Sequence, residues 1–454
     1  MSNDLIESAL ARGLDTKAVV MGTDVLGRTG GLFAELFPGA RAVMVDDGNT
    51  WAVAGAAVQA SLASAGIAMD DPIIYPASPA LFADDKAVED LRARLAGTDA
   101  VAVSVAAGSL NDITKLASHL VGRSYLNVCT AASVDGYTSF GAAITWGGVK
   151  STQECPAPRG VVVPLDVMAG APARMTATGY GDLIEKIPAG ADWIVADELG
   201  LDPIDDDVWG MVQGPLRDAL GDPAGLAAGE VPAIAKLAQG LIMSGLAMQV
   251  FASSRPASGA GHYFSHQWEM EGYGRDWDPP LTHGFKVGLG TVAMCALYEK
   301  VLELDLTGLD VDARLATWPT PAQDEARVTA LQPIPVIRES ALRQSALKYV
   351  PRAQARARLE LIRRQWPSIR TRVAAQVLPA RVVEQMLREV GAVCHPGQIG
   401  VSLEGLRVKY YQGQTMRARY TVLDLLEEAG LLNRLVDGLF APGGYWYERG
   451  EASR

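Results

Sequence analysis

Along residues 1–172, short apolar and β-branched runs alternate with stretches of helical period. This is the pattern of βαβ units feeding a parallel sheet covered on both faces. Lys17–Met21, Arg41–Val45, Ala100–Val105 and Gly160–Leu165 read as buried strands, and Leu126–Cys129 as a further apolar run ending in a turn. Thr50–Ala65 and Lys86–Leu95 have the composition and spacing of helices between them. Past Ala171 and Pro172 strand-like runs become scarce. Glu230–Ser253, Lys286–Glu303, Arg338–Gln365, Ser368–Val390 and Thr421–Leu439 carry a helical period, punctuated by Gly-, Pro- and Asp-rich segments at 200–207, 276–280 and 318–323. The pattern predicts an α/β domain over 1–172 followed by an all-α domain over 173–454.

Composition narrows the class. Of 454 residues, 49% are hydrophobic and 20% charged, enough apolar mass for a large core. Lys and Arg number 40 against 52 Asp and Glu, a net charge of -12. That balance argues against a nucleic-acid or anionic-membrane partner, since either needs clustered cations. It leaves room for a small anionic substrate in a locally positive pocket. MSNDLIESALARG places Asp4 and Glu7 where a secretion signal needs a basic start and an apolar run. Apolar stretches such as Leu237–Ala252 are interrupted by Gln and Ser and fall short of the ~20 residues of a membrane span. Four cysteines without CxxC spacing give neither a disulfide framework nor a zinc knuckle. A cytoplasmic protein is expected.

Four segments have the makings of chemistry. Ala106–Lys115 (AAGSLNDITK) runs from a strand into a helix, where small residues and free amides suit a pyrophosphate. Taken alone, the same residues read more readily as an ordinary turn capped by Ser109 or Asn111, with Asp112 and Lys115 as an ion pair. Thr130–Ser139 (TAASVDGYTS) follows the next apolar run with hydroxyl groups around an Asp-Gly turn. Asp46 and Asp47 close the second strand, where a carboxylate can accept from the ribose hydroxyls of a dinucleotide. Three of the five histidines, His262, His266 and His283, fall in one window. His262 and His266 are four apart and share a helical face, so the group suits a divalent metal or catalysis, though not the HExxH chemistry of metalloproteases. A carboxylate must complete such a site. Asp182 in GYGDLIEK, read as a helix start, is one candidate beside Asp166, Asp192 and Asp197.

Taken in order, AAGSLNDITK, TAASVDGYTS, GYGDLIEK, RPASGAGHYFSHQWEM, LTHGFKVGLGT and MRARYTVLDLL resemble the sn-glycerol-1-phosphate dehydrogenases. These sit in the superfamily of dehydroquinate synthases, glycerol dehydrogenases and iron-containing alcohol dehydrogenases. The resemblance implies a Rossmann-like domain followed by an all-α one, the dehydroquinate synthase-like fold, with the metal in the cleft between them. It implies NAD or NADP bound by Asp47, Gly108, Ser109, Leu110, Asn111, Asp112, Thr130, Ala131, Ala132, Ser133 and Ser139. Asp182, His262 and His283 would hold one divalent metal, zinc in many such proteins, with nickel or iron as alternatives. Asp135, Asp182 and His266 would meet a small phosphorylated substrate, His266 and Asp135 carrying catalysis, in a homodimer. The chain departs from the family pattern at Ala106 and Ala107, whose methyl groups stand where backbone is expected to approach the pyrophosphate. It departs again at Gly261, where a Glu is usual. A phosphate-eliminating cyclase, another polyol dehydrogenase or a non-catalytic relative are the alternative readings, and Arg417 and Arg419 are candidates for a phosphate.

Overall fold

The computed structural model describes residues 4–450. The strands are β1 (Ala18–Gly22), β2 (Ala42–Asp47), β3 (Ile73–Tyr75), β4 (Val101–Ala106), β5 (Tyr125–Cys129), β6 (Ala142–Trp146), β7 (Val149–Gln153) and β8 (Gly160–Pro164). Six form one parallel sheet in the order β1-β8-β5-β4-β2-β3, and β6 pairs with β7 as an antiparallel hairpin. Alternate residues along each strand feed two cores. Val43, Val45 and Ala102 pack with Leu91 and Leu95 of helix Asp85–Ala96 and with Ile113 and Leu116 of helix Gly108–Leu120. Met44, Val103, Leu126 and Val162 face the other way, against Phe33, Val58 and Leu62. Burial on both faces is why these strands read as continuous apolar runs instead of alternating ones.

The chain packs as two compact units. The first runs through Leu183 and adds Asp207–Ala257 and Glu389–Gly391; the second holds Ile184–Asp206, Ser258–Arg388 and the chain from Ala392 onward. Residues 207–257 are helical, on the far side of the composition shift at Pro172, yet they fold with the sheet. Helix Val231–Phe251 supplies the reason: the Ile242 carbonyl accepts from Thr138 Oγ1 at 2.8 Å, and Gln249 bonds both Thr16 and Thr138. This helix is 21 residues long, with a mean hydropathy of 1.4 in its most apolar window, so by length and composition it could cross a membrane. In the fold 78% of that window is buried inside the protein, as expected of a core helix.

The second unit is helical throughout its described residues, with breaks at places other than those read from the sequence. Pro367 does not end a helix. It lies inside Arg352–Gln376, where Leu359, Ile362, Trp366, Ile369 and Val373 form a buried stripe at three- and four-residue spacing. That burial, at roughly 1.5–3 kcal/mol per large side chain, outweighs the roughly 3 kcal/mol an interior proline costs. The breaks fall instead before Arg352, where Pro351 is the N-cap, and at 377–379, which includes Pro379. Thr421–Leu439 divides into Val422–Glu428 and Leu432–Phe440 around Gly430, whose φ of +71° only glycine adopts freely.

Candidate active site

In the parallel sheet the chain moves outward from β2 to β3, then returns to β4 on the other side of β2 and continues in the opposite direction through β5 to β8, which lies beside β1, the first strand. The carboxyl ends of β2 and β4 therefore flank a topological switch point, the place where open α/β sheets bind nucleotides. Asp47 ends β2 and Gly108 opens the helix after β4. That helix has 13 residues and Ala107 as N-cap, with no side chain bonded to its first amides. Neither Ser109 nor Asn111 caps it.

Ala106 does not intrude on this turn. Its methyl is fully buried in the core with Leu110, leaving Ala107 as the sole added methyl at the mouth. Of the residues expected to line a cofactor, Leu110 turns its side chain inward, so only its backbone is on offer. Asn111 and Asp112 likewise spend their side chains on structure: Asn111 accepts from Tyr125 Oη at 2.8 Å and donates to the Gly136 carbonyl, and Asp112 accepts from Ala143 N. Asp47 accepts from the amides of Asn49 and Thr50 in a capping box. Beside it, Asp46 is fully buried with both carboxylate oxygens lacking a hydrogen-bond partner, and burial followed by repulsion from Asp47 pushes its pKa up to about 8.

Thr130, Ala131, Ala132, Ser133 and Ser139 are all buried in the loop after β5. Lys115 organises that loop, which its spacing from Asp112 alone did not reveal. Its ammonium is buried, donates to the carbonyls of Gly136, Ser139 and Gly141 and to Ser139 Oγ at 2.8–3.1 Å, and lies 3.4 Å from Asp112. From the other side, helix Ala173–Ile184 approaches so closely that a Cβ on Gly179 would stand 1.9 Å from the Ala132 carbonyl. This close approach is what requires a glycine at 179. Asp182 sits near the end of that helix, not at a helix start, and its Oδ2 accepts from Asp135 N at 3.0 Å. Asp135 Oδ2 in turn accepts from Ser244 Oγ at 2.9 Å.

The three histidines do come together. His262 and His266 lie on helix Ala260–Met270, and His283 opens helix His283–Leu302. Their ring centroids are 5.6 Å (His262 to His283), 6.0 Å (His262 to His266) and 6.0 Å (His266 to His283) apart. The two helices can approach because Gly261 and Gly290 meet: a Cβ on Gly290 would stand 2.3 Å from the Gly261 carbonyl. Two carboxylates, the buried Glu185 and the half-buried Glu269, stand behind the rings. Glu185 Oε2 is 2.8 Å from His262 Nδ1, outside good hydrogen-bond direction, and Glu269 Oε1 bonds His283 Nδ1 at 2.7 Å. Asp182, one helical turn before Glu185, offers a carboxylate oxygen within 4.8 Å of ligand nitrogens of His262 and His283. The other aspartates are committed elsewhere: Asp192 accepts from Tyr298 Oη, Val422 N and Ala260 N, Asp197 pairs with Arg372, and Asp166 is exposed.

His266 is held neutral. Burial, then the positive charge of Arg417, pushes its pKa well below the ordinary histidine value. Arg419 donates to the Ser258 carbonyl at 2.7 Å.

The family model described as iron-containing alcohol dehydrogenase matches residues 20–172. The glycerol-1-phosphate dehydrogenase [NAD(P)+] of Halalkalibacterium halodurans is 38% identical over 56% of this chain. That of Geobacillus stearothermophilus is 27% identical over 86% of this chain and 87% of its own length. Over these spans the chain is similar to glycerol-1-phosphate dehydrogenases. The match with the H. halodurans member spans 64% of that relative, under two thirds of its length. Among solved structures, glycerol dehydrogenase from Schizosaccharomyces pombe superposes over 93% of this chain and 90% of its own with a TM-score of 0.58. At 14% identity this speaks for the fold alone.

Glu185 and Glu269 were not anticipated from the sequence, nor were the bonds of Lys115 to the loop after β5. Glu269 follows His262 by seven residues on one helix and Glu185 follows Asp182 by three, so helical spacing alone would have flagged both.

Proposed function

We propose that this protein is a metal-dependent, NAD(P)-linked dehydrogenase that interconverts dihydroxyacetone phosphate and sn-glycerol 1-phosphate. The observation that carries the reading is the grouping of one carboxylate and two imidazoles, Asp182, His262 and His283, with a third imidazole, His266, beside the two histidines. Such a set suits a divalent ion with a position left for substrate, and its donors favour zinc, with iron or nickel as alternatives. When bound, the metal supplies Lewis acidity toward the C2 oxygen and the nicotinamide exchanges hydride with C2.

The chain's own groups do the rest. Amides at the start of helix Gly108–Leu120 receive the pyrophosphate, and Asp47 receives the adenosine ribose. A carboxylate at that position repels a 2′-phosphate, which favours NAD. In the oxidising direction neutral His266 accepts the proton of the C2 hydroxyl, and in the reducing direction it returns it. Arg417, close enough to His266 to lower its pKa, attracts the substrate phosphate inside a protein whose overall charge of -12 repels it.

Metal analysis of the purified protein, with net NAD(P)H oxidation on dihydroxyacetone phosphate, tests this. The reverse reaction is expected with sn-glycerol 1-phosphate and not the 3-phosphate. Phosphate release without net redox change would replace the reading with a cyclase, and metal-loaded protein that binds no nucleotide would replace it with a non-catalytic relative.

A further inference from the structure

We infer that Glu185 is a positioning residue for the metal ligand His262, and that Gly261 is the residue that admits it. The inference rests on the metal-site reading above. Glu185 is fully buried at the junction of helices Ala173–Ile184 and Lys186–Glu198. Its Oε1 accepts from the amide of Gly259, the N-cap of the histidine helix, at 3.2 Å, and its Oε2 lies 2.8 Å from His262 Nδ1. One carboxylate thus holds the start of the helix and faces the first imidazole on it.

The approach depends on position 261 having no side chain. A Cβ there would stand 2.9 Å from Glu185 Cγ and 3.0 Å from Oε1. The atoms it meets belong to a buried side chain held at Oε1 by the Gly259 amide, so a methyl at 261 would push Glu185 away from both Gly259 and His262. Glu269 stands in the same relation to His283, with its Oε1 bonded to Nδ1 at 2.7 Å. Both imidazoles therefore have Nδ1 facing a carboxylate, hydrogen-bonded at His283 and within 2.8 Å at His262, an arrangement that favours a proton on Nδ1 and leaves Nε2 to coordinate. The two carboxylates come from different helices, and only Glu185 doubles as the anchor of a helix start.

The test is zinc affinity, measured by competition with a chromophoric chelator, on wild type, Glu185→Gln and Glu269→Gln, with the visible spectrum of the cobalt-substituted proteins as a second readout. Gln keeps the size of Glu and an oxygen for Gly259 N, so the metal-free Glu185→Gln protein should melt with wild type. Its zinc affinity should fall roughly 10- to 100-fold, as for other outer-sphere carboxylates of metal-bound histidine, and its cobalt spectrum should change. A Glu185→Gln protein with wild-type affinity and spectrum overturns the positioning role. A variant that also melts lower without metal reduces Glu185 to a helix anchor and overturns it too. Wild type that binds no zinc would fail at the earlier step, the metal site itself, and is distinguishable because no variant is needed to see it.

Discussion

Replacing Asp46 by Asn should stabilise this protein at alkaline pH and change little at acid pH. Asp46 ends the apolar part of β2, fully buried beneath the π-helical turn Trp51–Gly55, where a Cβ on Gly55 would lie 3.0 Å from its Oδ1. Neither carboxylate oxygen has a hydrogen-bond partner, and the charge that acts on it is the like charge of Asp47. Its pKa rises from 3.8 to about 8. An acid whose folded pKa exceeds its unfolded pKa binds more protons folded than unfolded. Stability therefore falls as pH rises from near 4 to near 8, by up to about 1.4 kcal/mol per pH unit from this group. At pH 7 the accumulated penalty is about 4 kcal/mol, and above pH 8 it levels off at between roughly 5 and 6 kcal/mol. Asn cannot ionise, so the penalty disappears with it. Guanidinium unfolding of both proteins between pH 4.5 and 9 measures the effect as the difference between their midpoints. That difference should be small at the acid end and grow steadily to about pH 8. A difference that stays constant across the range would refute the reasoning, because it would mean that Asp46 finds a partner or water when it ionises.

Other substitutions separate the roles assigned above. His262→Ala should lose bound metal and activity together, whereas His266→Ala should keep stoichiometric metal and lose mainly kcat, as read by metal analysis beside steady-state kinetics; equal metal loss in both would remove the distinction. Lys115→Met removes the ammonium that four acceptors of the 136–141 loop share, so a loss of roughly 3 kcal/mol in unfolding free energy and a raised KM for NAD(P)H are expected, with zinc affinity unchanged. Gly179→Ala drives a methyl into the Ala132 carbonyl and should cost about 1–3 kcal/mol or more, with lower activity even at low temperature where the fold survives.

The strands of the first unit were legible because a parallel sheet buried on both faces leaves uninterrupted apolar runs. β1, β2, β4, β5 and β8 fall within a residue or two of the runs that predicted them. β3 and the β6–β7 hairpin were not, since Ile73–Tyr75 is short and half-exposed and Val149–Gln153 is polar. In the helical unit proline was a poor guide. Pro367 is absorbed by a buried stripe and Pro351 is not, and the difference lies in what packs against each, which local sequence does not carry.

From the sequence alone came the α/β-then-helical order, the carboxyl-end turns at Asp47 and Gly108, and the expectation that His262, His266 and His283 lie together, because these follow from side-chain periodicity and residue chemistry. The packing showed that 207–257 folds with the sheet, that Lys115 binds a loop as well as Asp112, and that Glu185 and Glu269 stand behind the imidazoles. Each of these depends on how closely separate segments can approach. Here that closeness is set by Gly179 against Ala132 and by Gly261 against Glu185 and Gly290, contacts between residues far apart in the chain.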